Sequence, residues 1–348
     1  MAQIALNARF HVHRPTGMQR YALELSRRFG PHLDAVMPRG GLRGPVGHLW
    51  EQLYLPSVVR GRLLWSPNNT GPLAVERQVC TIHDLIPIDH PEWFNARFAA
   101  WYAWLMPGLA KRIRHIIAIS EFTKRRIVEL LRVPEEKITV IPNGVDQRFK
   151  PQSAEKIEAM RCELGIDSRP YVVYVGSLEP RKNLQKLLSA WRRAQTSIPE
   201  DVYLVAAGAR GSSRVFHPVS LSSIPPRVLF TGYVSEDALP ALYAGALAAV
   251  YPSLYEGFGL PPLEAMACGT PVVTSAGTSL PEVVGDGALL VDPEDVESIA
   301  AGLVRVLSNE TMRRSLSEAG LRRAATFGWE STAQRTLNLL LEQAAIRN

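Results

Sequence analysis

Short β-branched runs alternate with amphipathic stretches of helical length, and this alternation is the strongest constraint that the sequence places on the fold. The run Gln3–Leu6 is followed by a helical pattern at Gly17–Phe29. After a polar stretch at 142–170, the alternation restarts with the run Tyr171–Val175 and the helical pattern Leu184–Gln195. Strands that alternate with helices in this way predict α/β architecture with parallel, doubly wound sheets.

The repeated pattern predicts two domains, and 348 residues suit two domains of roughly 100–200 residues each. We expect domains at 1–150 and 151–330 with a cleft between them, and a C-terminal helix at about 331–348 that packs back on the first. Between the domains, Pro142–Asp146 has the composition of a turn. The other predicted elements are strands at Gln78–Ile82, His115–Ile119, Lys137–Ile141, Val202–Ala207, Val228–Phe230, Ala248–Tyr251 and Pro271–Thr274, and helices at Ala96–Leu109, Glu121–Leu131, Ser235–Ala244 and Pro262–Ala267.

Composition excludes several classes of protein. Hydrophobic residues make up 46% of the chain and charged residues 21%, which is typical of globular domains and excludes disorder. Cys80, Cys162 and Cys268 are far apart and form no Cys-x-x-Cys pair, which excludes a zinc ribbon and a disulfide framework. Apolar runs such as Ala246–Tyr251 are far shorter than the roughly 20 residues of a spanning helix, and the N-terminal residues lack the apolar core of a signal peptide. We therefore expect a cytoplasmic protein.

The formal charge is distributed unevenly along the chain. Residues 1–150 contain 21 Lys and Arg against 12 Asp and Glu, a balance of +9, whereas residues 151–348 contain 18 against 21, a balance of −3. A basic half suggests an anionic partner: nucleic acid, a membrane surface or a phosphorylated substrate. The basic runs Lys111–His115 and Lys124–Arg126 supply most of the excess, either as solvated faces or as surfaces that attract anionic lipid. The absence of RRM, KH and zinc-finger patterns argues against nucleic acid.

The segment Tyr251–Glu264, Y-P-S-L-Y-E-G-F-G-L-P-P-L-E, carries the strongest functional signal. A predicted strand ends at Tyr251, a glycine-rich turn follows, and a proline opens the next helix. Four consecutive N–H groups would then face one point at a helix N-terminus, those of Gly257, Phe258, Gly259 and Leu260. Such a site suits a phosphate or sugar hydroxyls, and the carboxylates of Glu256 and Glu264 suit neighbouring hydroxyls. The alternative is a structural turn with two solvated glutamates.

Other candidate residues lie on loops after predicted strands, where ligands bind in doubly wound sheets. Arg181 and Lys182 are adjacent cations on such a loop, apt for a diphosphate or, alternatively, a solvated charge pair. His83 ends the strand Gln78–Ile82 and is either a structural or a functional group, while Asp84 either orients its ring or caps the turn. Gly17, after Arg14-Pro15-Thr16, permits either close backbone approach to a ligand or a tight turn.

The run from Glu256 to Val273, E-G-F-G-L-P-P-L-E-A-M-A-C-G-T-P-V-V, resembles the signature of the retaining glycosyltransferases of family 4, with two glutamates separated by seven residues. The resemblance covers nearly the whole chain and implies the GT-B fold: two Rossmann-like domains facing an interdomain cleft. It implies that Glu264 binds the ribose of a nucleotide-sugar donor. Glu256 and the N–H groups from Gly257 to Leu260 would hold the transferred sugar.

The same resemblance assigns the donor diphosphate to the loop that begins at Gly176. Lys182 matches the family's lysine, five residues beyond an arginine that normally follows the glycine. Ser177 stands at that arginine position here, so Arg181 is inferred to substitute for it. Gly17 matches a position where the family often has two glycines, close to the diphosphate or the acceptor.

Two further roles follow from the family pattern. A histidine at the position of His83 faces the donor sugar across the cleft. The loop Thr231–Val234 matches the place where the family seats the nucleobase, largely through backbone, so Tyr233 and Val234 are candidate contacts. Tyr233 fits a core position equally well.

The resemblance implies retaining transfer of a hexose to a glycan or lipid-diphosphate-linked acceptor, since the form Gly-Ser-Leu-Glu-Pro-Arg-Lys-Asn is similar to a subgroup of mannosyl- and deoxyhexosyl-transferases of bacterial surface polysaccharide and lipopolysaccharide assembly. GDP-mannose is the expected donor, and dTDP-rhamnose or a UDP-sugar are alternatives. Since no Asp-x-Asp occurs, we expect no metal and no cofactor, with cations and a helix N-terminus neutralising the leaving diphosphate. A GT-B sugar-nucleotide epimerase is the alternative activity. The basic first half then suggests peripheral contact with an anionic membrane rather than with nucleic acid.

Overall fold

The computed structural model describes residues 4–12, 17–42, 44–166, 168–208, 215–217, 221 and 223–346. The chain forms two compact units. The first comprises Met1–Pro91, Ala96–Gly144 and Gly328–Asn348, and the second comprises Glu92–Asn95 and Val145–Phe327. Each unit is built on its own six-stranded sheet, and the strands in both sheets pair in parallel.

The strands of the first sheet are β1 (Ile4–Asn7), β2 (Leu33–Val36), β3 (Leu63–Ser66), β4 (Gln78–Ile82), β5 (His115–Ala118) and β6 (Ile138–Val140). Those of the second are β7 (Tyr171–Val175), β8 (Tyr203–Ala207), β9 (Val228–Gly232), β10 (Ala248–Tyr251), β11 (Val272–Ser275) and β12 (Ala288–Val291). The strand orders are β2-β1-β3-β4-β5-β6 and β12-β11-β10-β7-β8-β9. Both are doubly wound α/β sheets, so the predicted fold class is confirmed.

The helices are α1 (Gly17–Phe29), α2 (Gly44–Leu49), α3 (Leu55–Val58), α4 (Ile86–Asp89), α5 (Ala96–Arg112), α6 (Glu121–Leu131), α7 (Ala154–Leu164), α8 (Leu184–Ala194), α9 (Leu239–Ala244), α10 (Leu260–Ala267), α11 (Leu280–Val284), α12 (Val296–Ser308), α13 (Glu310–Ala324) and α14 (Trp329–Ala345). The helices up to α11 lie between successive strands in the chain, and α12, α13 and α14 follow the last strand. A π-helical turn, Trp50–Tyr54, joins α2 to α3. Within the described residues, no helix combines the length and the apolar character that a membrane crossing requires.

Both faces of the first sheet are covered, and every residue of β1, β3 and β4 is buried. In β1, Ile4 and Leu6 pack with residues of α1 and α14, whereas Ala5 packs on the opposite face with Trp50 and Leu55. In the second unit, α8 and α12 supply the core over one face of β7, β8 and β10. The carboxyl ends of the strands are left to the loops that carry the candidate site.

Most predicted elements have the expected bounds, including Gly17–Phe29, Gln78–Ile82, Glu121–Leu131, Tyr171–Val175 and Ala248–Tyr251. Three strands were not predicted. β3 contains no β-branched residue. β2 and β12 lie at sheet edges, have exposed positions and contain one β-branched residue each. None of the three therefore shows the β-branched run on which the prediction of strands relied. Gln3 and the last two residues of the predicted C-terminal helix, Arg347 and Asn348, lie outside the described residues.

Two predicted helix starts were wrong. α9 begins at Leu239 rather than Ser235, because the backbone carbonyl and side chain of Ser235 accept hydrogen bonds from the N–H of Ala238 and form a turn before the helix. α10 begins at Leu260 rather than Pro262, directly after a left-handed residue at Gly259. The earlier start places the N–H of Leu260 in the first turn of the helix.

The last helix belongs to the first unit, although it follows the second in sequence. Trp329, Ala333 and Leu340 of α14 join the core formed by β1, β3 and α1. The Thr332 hydroxyl donates to the Pro142 carbonyl at 2.8 Å. The start of α14 therefore lies against the backbone of Gly144.

The contact at Gly144 yields a stability prediction. A Cβ there would lie 2.3 Å from Trp329 N and 2.7 Å from Gly328 C, and both are backbone atoms that cannot rotate away. We expect Gly144→Ala to cost ~1–3 kcal/mol by overpacking and to lower the melting temperature by several degrees. Gly328→Ala is the matched control, since a Cβ at Gly328 meets nothing within 4 Å. Equal melting temperatures for the two variants would contradict this packing.

Candidate active site

Two sequence motifs of the second unit meet at the carboxyl ends of the paired strands β7 and β10. The Asn183 side chain, which follows the first motif, donates to the carbonyls of Pro252 at 2.9 Å and Pro293 at 2.7 Å. The N–H of Leu254 donates to the Arg181 carbonyl at 2.8 Å. These bonds hold the loop after β7 against the loop after β10, the edge at which ligands bind in doubly wound sheets.

A buried cluster of charges forms where the loops meet. Lys182 Nζ lies 2.6 Å from Glu256 Oε1, and Arg181 NH1 lies 2.9 Å from Glu256 Oε2. Arg181 Nε also lies 2.9 Å from Glu179 Oε2. Burial alone would raise the pKa of Glu256, but the charges of Lys182 and Arg181 outweigh this effect and lower the pKa to about 2. Glu256 is therefore ionised at neutral pH, with both oxygens held by cations.

Glu179 is a member of this cluster that the sequence analysis did not identify. Its carboxylate is buried and also accepts a hydrogen bond from the Ser177 hydroxyl. Together the two glutamates balance the charges of Arg181 and Lys182. An incoming diphosphate must therefore compete with protein carboxylates for the cations, or share them. The signal for Glu179 is a carboxylate two residues before an arginine in a strand–helix loop.

The glycine-rich turn presents donors next to this cluster. Gly259 has a φ of +110°, and a Cβ there would lie 2.6 Å from Leu280 Cδ2, so glycine is required. The Ser279 hydroxyl lies 2.8 Å from each of the carbonyls of Glu256 and Phe258 and fixes the direction of the turn. The N–H groups of Phe258, Gly259 and Leu260 make no hydrogen bond within the described part of the chain. They are donors available to a ligand at the start of α10.

Glu264 lies in α10, eight residues after Glu256, and is buried. The Tyr243 hydroxyl donates to its Oε2 at 3.3 Å. Burial raises the pKa of Tyr243 well above its ordinary value, so the phenol stays protonated and remains a donor. Tyr243 thus fixes one oxygen of the glutamate.

The ends of β7, β8 and β9 lie close together. The N–H of Gly176 donates to Ala207 O at 2.9 Å, and that of Gly208 to Gly232 O at 2.7 Å. A Cβ at Gly208 would lie 2.0 Å from Gly176 O, so this unpredicted glycine permits the approach of the two loops. Beyond β9, Val234 is buried, whereas Tyr233 is 74% exposed. Of the two alternatives for Tyr233, the structure excludes the core position.

In the first unit, His83 directly follows β4 and is buried. Its ring nitrogen Nε2 lies 2.7 Å from the Pro67 carbonyl oxygen, and its backbone N–H donates to Asn69 Oδ1 at 2.7 Å. The centroid of its ring lies 4.9 Å from that of Tyr21, in an edge-to-face arrangement. Because a carbonyl oxygen only accepts, Nε2 carries the proton and Nδ1 carries the lone pair. Burial lowers the pKa of His83 to about 4, although the bond to Pro67 opposes this. The imidazole is therefore neutral at pH 7.

Two remaining predictions concern Asp84 and Gly17 of the first unit. The Asp84 carboxylate accepts from the N–H of Ile86 at 3.4 Å, which fits a turn cap, and the His83 ring nitrogen Nε2 is oriented by Pro67 instead. Gly17 is the first residue of α1. Arg14, Pro15 and Thr16 lie outside the described residues.

Comparison with known proteins identifies the family. Residues 63–149 match the family model described as Glycosyltransferase Family 4, and residues 156–323 match the model described as Glycosyl transferases group 1. The O-antigen chain mannosyltransferase B of Escherichia coli is 34% identical over 274 residues, which are 78% of this chain and 72% of that protein. The chain belongs to the family 4 glycosyltransferases.

Other relatives of this glycosyltransferase differ in length. The serotype-specific mannosyltransferase WbdA of Escherichia coli is 31% identical over 75% of this chain, but the match spans only 33% of WbdA. The MMP alpha-(1->4)-mannosyltransferase of Mycolicibacterium hassiacum is 32% identical over 77% of this chain and 67% of that protein.

Solved structures confirm the GT-B fold of the glycosyltransferase. Anabaena HepE, in a structure with UDP-glucose, has a TM-score of 0.75 and 19% identity, covering 97% of this chain and 99% of that one. WaaG, described as a glycosyltransferase involved in lipopolysaccharide biosynthesis, has a TM-score of 0.69 and 15% identity, covering 97% and 99%. At these identities the likeness shows the fold alone.

The low pKa of His83 predicts an acid-sensitive stability. The unfolded histidine titrates near 6.5 and the folded one at about 4, so the unfolded chain binds an extra proton between these values. Stability is therefore full above pH 6.5 and falls as the pH drops from 6.5 towards 4. We expect urea unfolding of His83→Gln to show a shallower loss over this window than the wild-type protein. His32→Gln, a change at an exposed histidine, should keep the wild-type slope; identical slopes for all three proteins would refute the assignment.

Proposed function

We propose that this glycosyltransferase transfers mannose from GDP-mannose, with retention of the anomeric configuration, to a glycan or lipid-diphosphate-linked acceptor of a surface polysaccharide. The observation that carries the proposal is the buried cluster of Arg181, Lys182 and Glu256 beside the unpaired N–H groups at the start of α10. Cations, a carboxylate and N–H donors at one strand edge suit a ligand that combines a diphosphate with a polyol.

Each part of the donor has a proposed partner. Arg181 and Lys182 bind the diphosphate, and Glu264 accepts from the ribose hydroxyls, with Tyr243 fixing its other oxygen. The N–H groups of Phe258, Gly259 and Leu260, with Gly257, hold the transferred sugar. Tyr233 and Val234, which follow β9, contact the nucleobase, and the Tyr233 ring is exposed. Gly176 and Gly17 allow backbone to approach the phosphates.

The state of Glu256 bears on the reaction course. Both carboxylate oxygens are held by cations and its pKa lies at about 2, which makes it a weak nucleophile and argues against a covalent glycosyl intermediate. We assign it to orienting the sugar and stabilising developing positive charge. In same-face attack the bond from C1 to the phosphate oxygen breaks and the electron pair stays on the phosphate. The acceptor oxygen bonds to C1, and its proton passes to the departing phosphate.

His83 is the second proposed catalytic group. Its neutral ring holds a lone pair on Nδ1, because Nε2 is committed to Pro67. A neutral acceptor of this kind orients a sugar hydroxyl and adds no positive charge that would oppose an oxocarbenium-like transition state.

The choice of mannose rests on relatives. Those described above are named as mannosyltransferases, as is the O-antigen chain mannosyltransferase RfbU of Salmonella typhimurium, 31% identical over 68% of this chain and 62% of that protein. These names support mannosyl transfer in polysaccharide assembly. We propose that this transfer takes place in the cytoplasm. The guanine nucleotide is an extension of that choice, and dTDP-rhamnose or a UDP-sugar are the alternatives that the test must separate.

Ligand-dependent melting tests the donor assignment. Among GDP-, UDP- and dTDP-sugars, we expect GDP-mannose to raise the melting temperature of the wild-type protein most. Glu264→Ala should lose this shift and His83→Ala should keep it while losing turnover, because only Glu264 is assigned to the nucleotide. Arg193→Ala, which removes an exposed ion pair with Glu297, should behave as wild type. Stabilisation by none of the nucleotide sugars, or the reverse pattern in the two variants, would overturn the assignment.

Nucleotide release separates a transferase from an epimerase. A transferase frees GDP only when an acceptor is present, whereas a GT-B epimerase frees the nucleotide without one. Release that does not depend on added acceptor would favour the epimerase.

We also propose peripheral contact with an anionic membrane through the first unit. Exposed apolar side chains recur at intervals of a helical turn along α2, the π-helical turn and α3; this apolar face consists of Val46, Leu49, Leu53, Tyr54 and Val58. Leu53 is 74% exposed and Leu49 58%. The exposed Arg60 follows the face, and a cation next to apolar side chains suits an anionic lipid surface.

Vesicle binding tests this contact. We expect the protein to sediment with vesicles of phosphatidylglycerol and phosphatidylcholine, and Leu49→Asp with Leu53→Asp to abolish sedimentation, since each carboxylate would have to enter the interface. Ile224→Asp, at a position 55% exposed in the second unit, is the control and should still bind. Unchanged sedimentation of the double variant would exclude the apolar face.

A further inference from the structure

The first unit buries a carboxylate that the proposed donor site does not use. Glu51, in the π-helical turn, is 1% exposed. Its Oε1 accepts from Asn7 Nδ2 at 2.7 Å, Arg9 Nε at 3.3 Å and Thr70 Oγ1 at 3.2 Å. Asn7 ends β1, and Thr70 lies in the loop after β3, so the cluster sits at the carboxyl edge of the first sheet.

The two oxygens of Glu51 are treated differently. Oε1 has three donors, whereas Oε2 is buried and has no hydrogen-bond partner within the described residues. The nearest basic side chain to Oε2 is that of His48, whose Nδ1 lies 3.6 Å away and also makes no hydrogen bond within the described residues. Burial raises the pKa of Glu51, but Arg9 and then His48 lower it to about 2, so the group stays ionised. An ionised oxygen without a donor is costly and calls for a functional explanation.

This arrangement fixes the orientation of His48. A carboxylate facing Nδ1 favours the tautomer with the proton on Nδ1, which leaves the lone pair on Nε2. The side chain of His48 is 20% exposed, and Nε2 makes no hydrogen bond within the described residues. His48 therefore presents a hydrogen-bond acceptor to solvent, held in place from behind by Glu51.

Aromatic rings lie beside this acceptor. The Trp101 ring meets the His48 ring at 5.3 Å and the Trp104 ring at 5.1 Å. Trp104 is 60% exposed, which is unusual for so large an apolar side chain. An exposed indole next to an oriented hydrogen-bond acceptor offers an apolar face and a polar contact to one ligand.

We propose that His48, Trp101 and Trp104 form a binding subsite for a neutral saccharide, with Glu51 as the positioning residue for His48. This subsite rests on the proposed function and would receive a sugar of the acceptor glycan. A hydroxyl of the pyranose donates to His48 Nε2, and the C–H face of the ring lies on Trp104.

The charge of the cluster favours a neutral sugar over a phosphate. Glu51 neutralises Arg9, the cation nearest to it, so the cluster offers no net positive charge to an anion. A sugar hydroxyl is satisfied by a single acceptor and does not require a cation. The subsite is therefore distinct in chemistry from the Arg181 and Lys182 pair of the second unit.

Saturation-transfer NMR with methyl glycosides tests the subsite without turnover. The probes are the methyl glycosides of mannose, rhamnose, glucose and galactose, added to the wild-type protein, His48→Ala and Trp104→Ala. We expect transfer to at least one glycoside, reduced several-fold in both variants, because each variant removes one of the two proposed contacts with the sugar. His32→Ala, at an exposed histidine of the same unit, is the control and should match the wild type.

Kinetics then separate this subsite from the donor site. With GDP-mannose and the best glycoside as acceptor, His48→Ala should raise the acceptor KM by about tenfold, the loss of one good hydrogen bond. The donor KM and the melting shift with GDP-mannose should stay at wild-type values. Glu51→Gln should raise the acceptor KM less, because the amide still occupies the position beside Nδ1.

The outcomes are distinct. No transfer to any glycoside, or transfer that persists unchanged in His48→Ala and Trp104→Ala, would overturn the subsite even if GDP-mannose still binds. If GDP-mannose does not raise the melting temperature of the wild-type protein, the proposed function is overturned instead. If Glu51→Gln fails to fold, the two surface variants decide the question.

Discussion

The contact on which the second unit depends is the clamp of Lys182 and Arg181 on the buried carboxylate of Glu256. Removing one partner of a buried ion pair leaves an uncompensated charge, at a cost of ~3–5 kcal/mol. The loops that carry the clamp must therefore stay in place. Asn183 holds them: its backbone has a left-handed φ of +58°, and its side chain donates to carbonyls of two neighbouring loops. The proposed donor site is built on a charge cluster whose charges already balance within the protein.

The first unit uses the same physical solution with a different result. Glu51 is also buried at the carboxyl edge of a parallel sheet, and an arginine also holds its pKa at about 2. In Glu256 both oxygens are held by cations, whereas in Glu51 one oxygen takes three donors and the other faces a histidine. Complete pairing fixes a carboxylate as an electrostatic element. Incomplete pairing leaves Glu51 facing His48, which is why we assign it to orienting that side chain.

The sequence predicted the residues of the second unit's site because they lie on two short motifs directly after strands. Strand ends, glycine-rich turns and adjacent cations are local features, so Glu256, Glu264 and Lys182 were identifiable. The partners of Glu256 were not, because its pairing with Arg181 depends on β7 lying beside β10. Glu51 and His48 carry no motif, and their meeting with Arg9 depends on the fold of the first unit. Tyr233 is a choice that the sequence left open: its aromatic side chain fits a core position or a ligand contact in sequence, and only the structure shows that it is exposed.

Folding also changes the meaning of the +9 in the first 150 residues. Arg126 pairs with Asp89 and Glu129, Lys124 pairs with Glu135, and Arg114 donates to the carbonyls of Gln343 and Ile346. These cations are committed to the fold, so the charge count overstates the field at the surface. A cation near an anionic bilayer contributes ~1 kcal/mol, and an apolar side chain that is fully buried contributes ~1.5–3 kcal/mol. The exposed apolar face at Val46–Val58 therefore carries more of the expected membrane affinity than the basic runs.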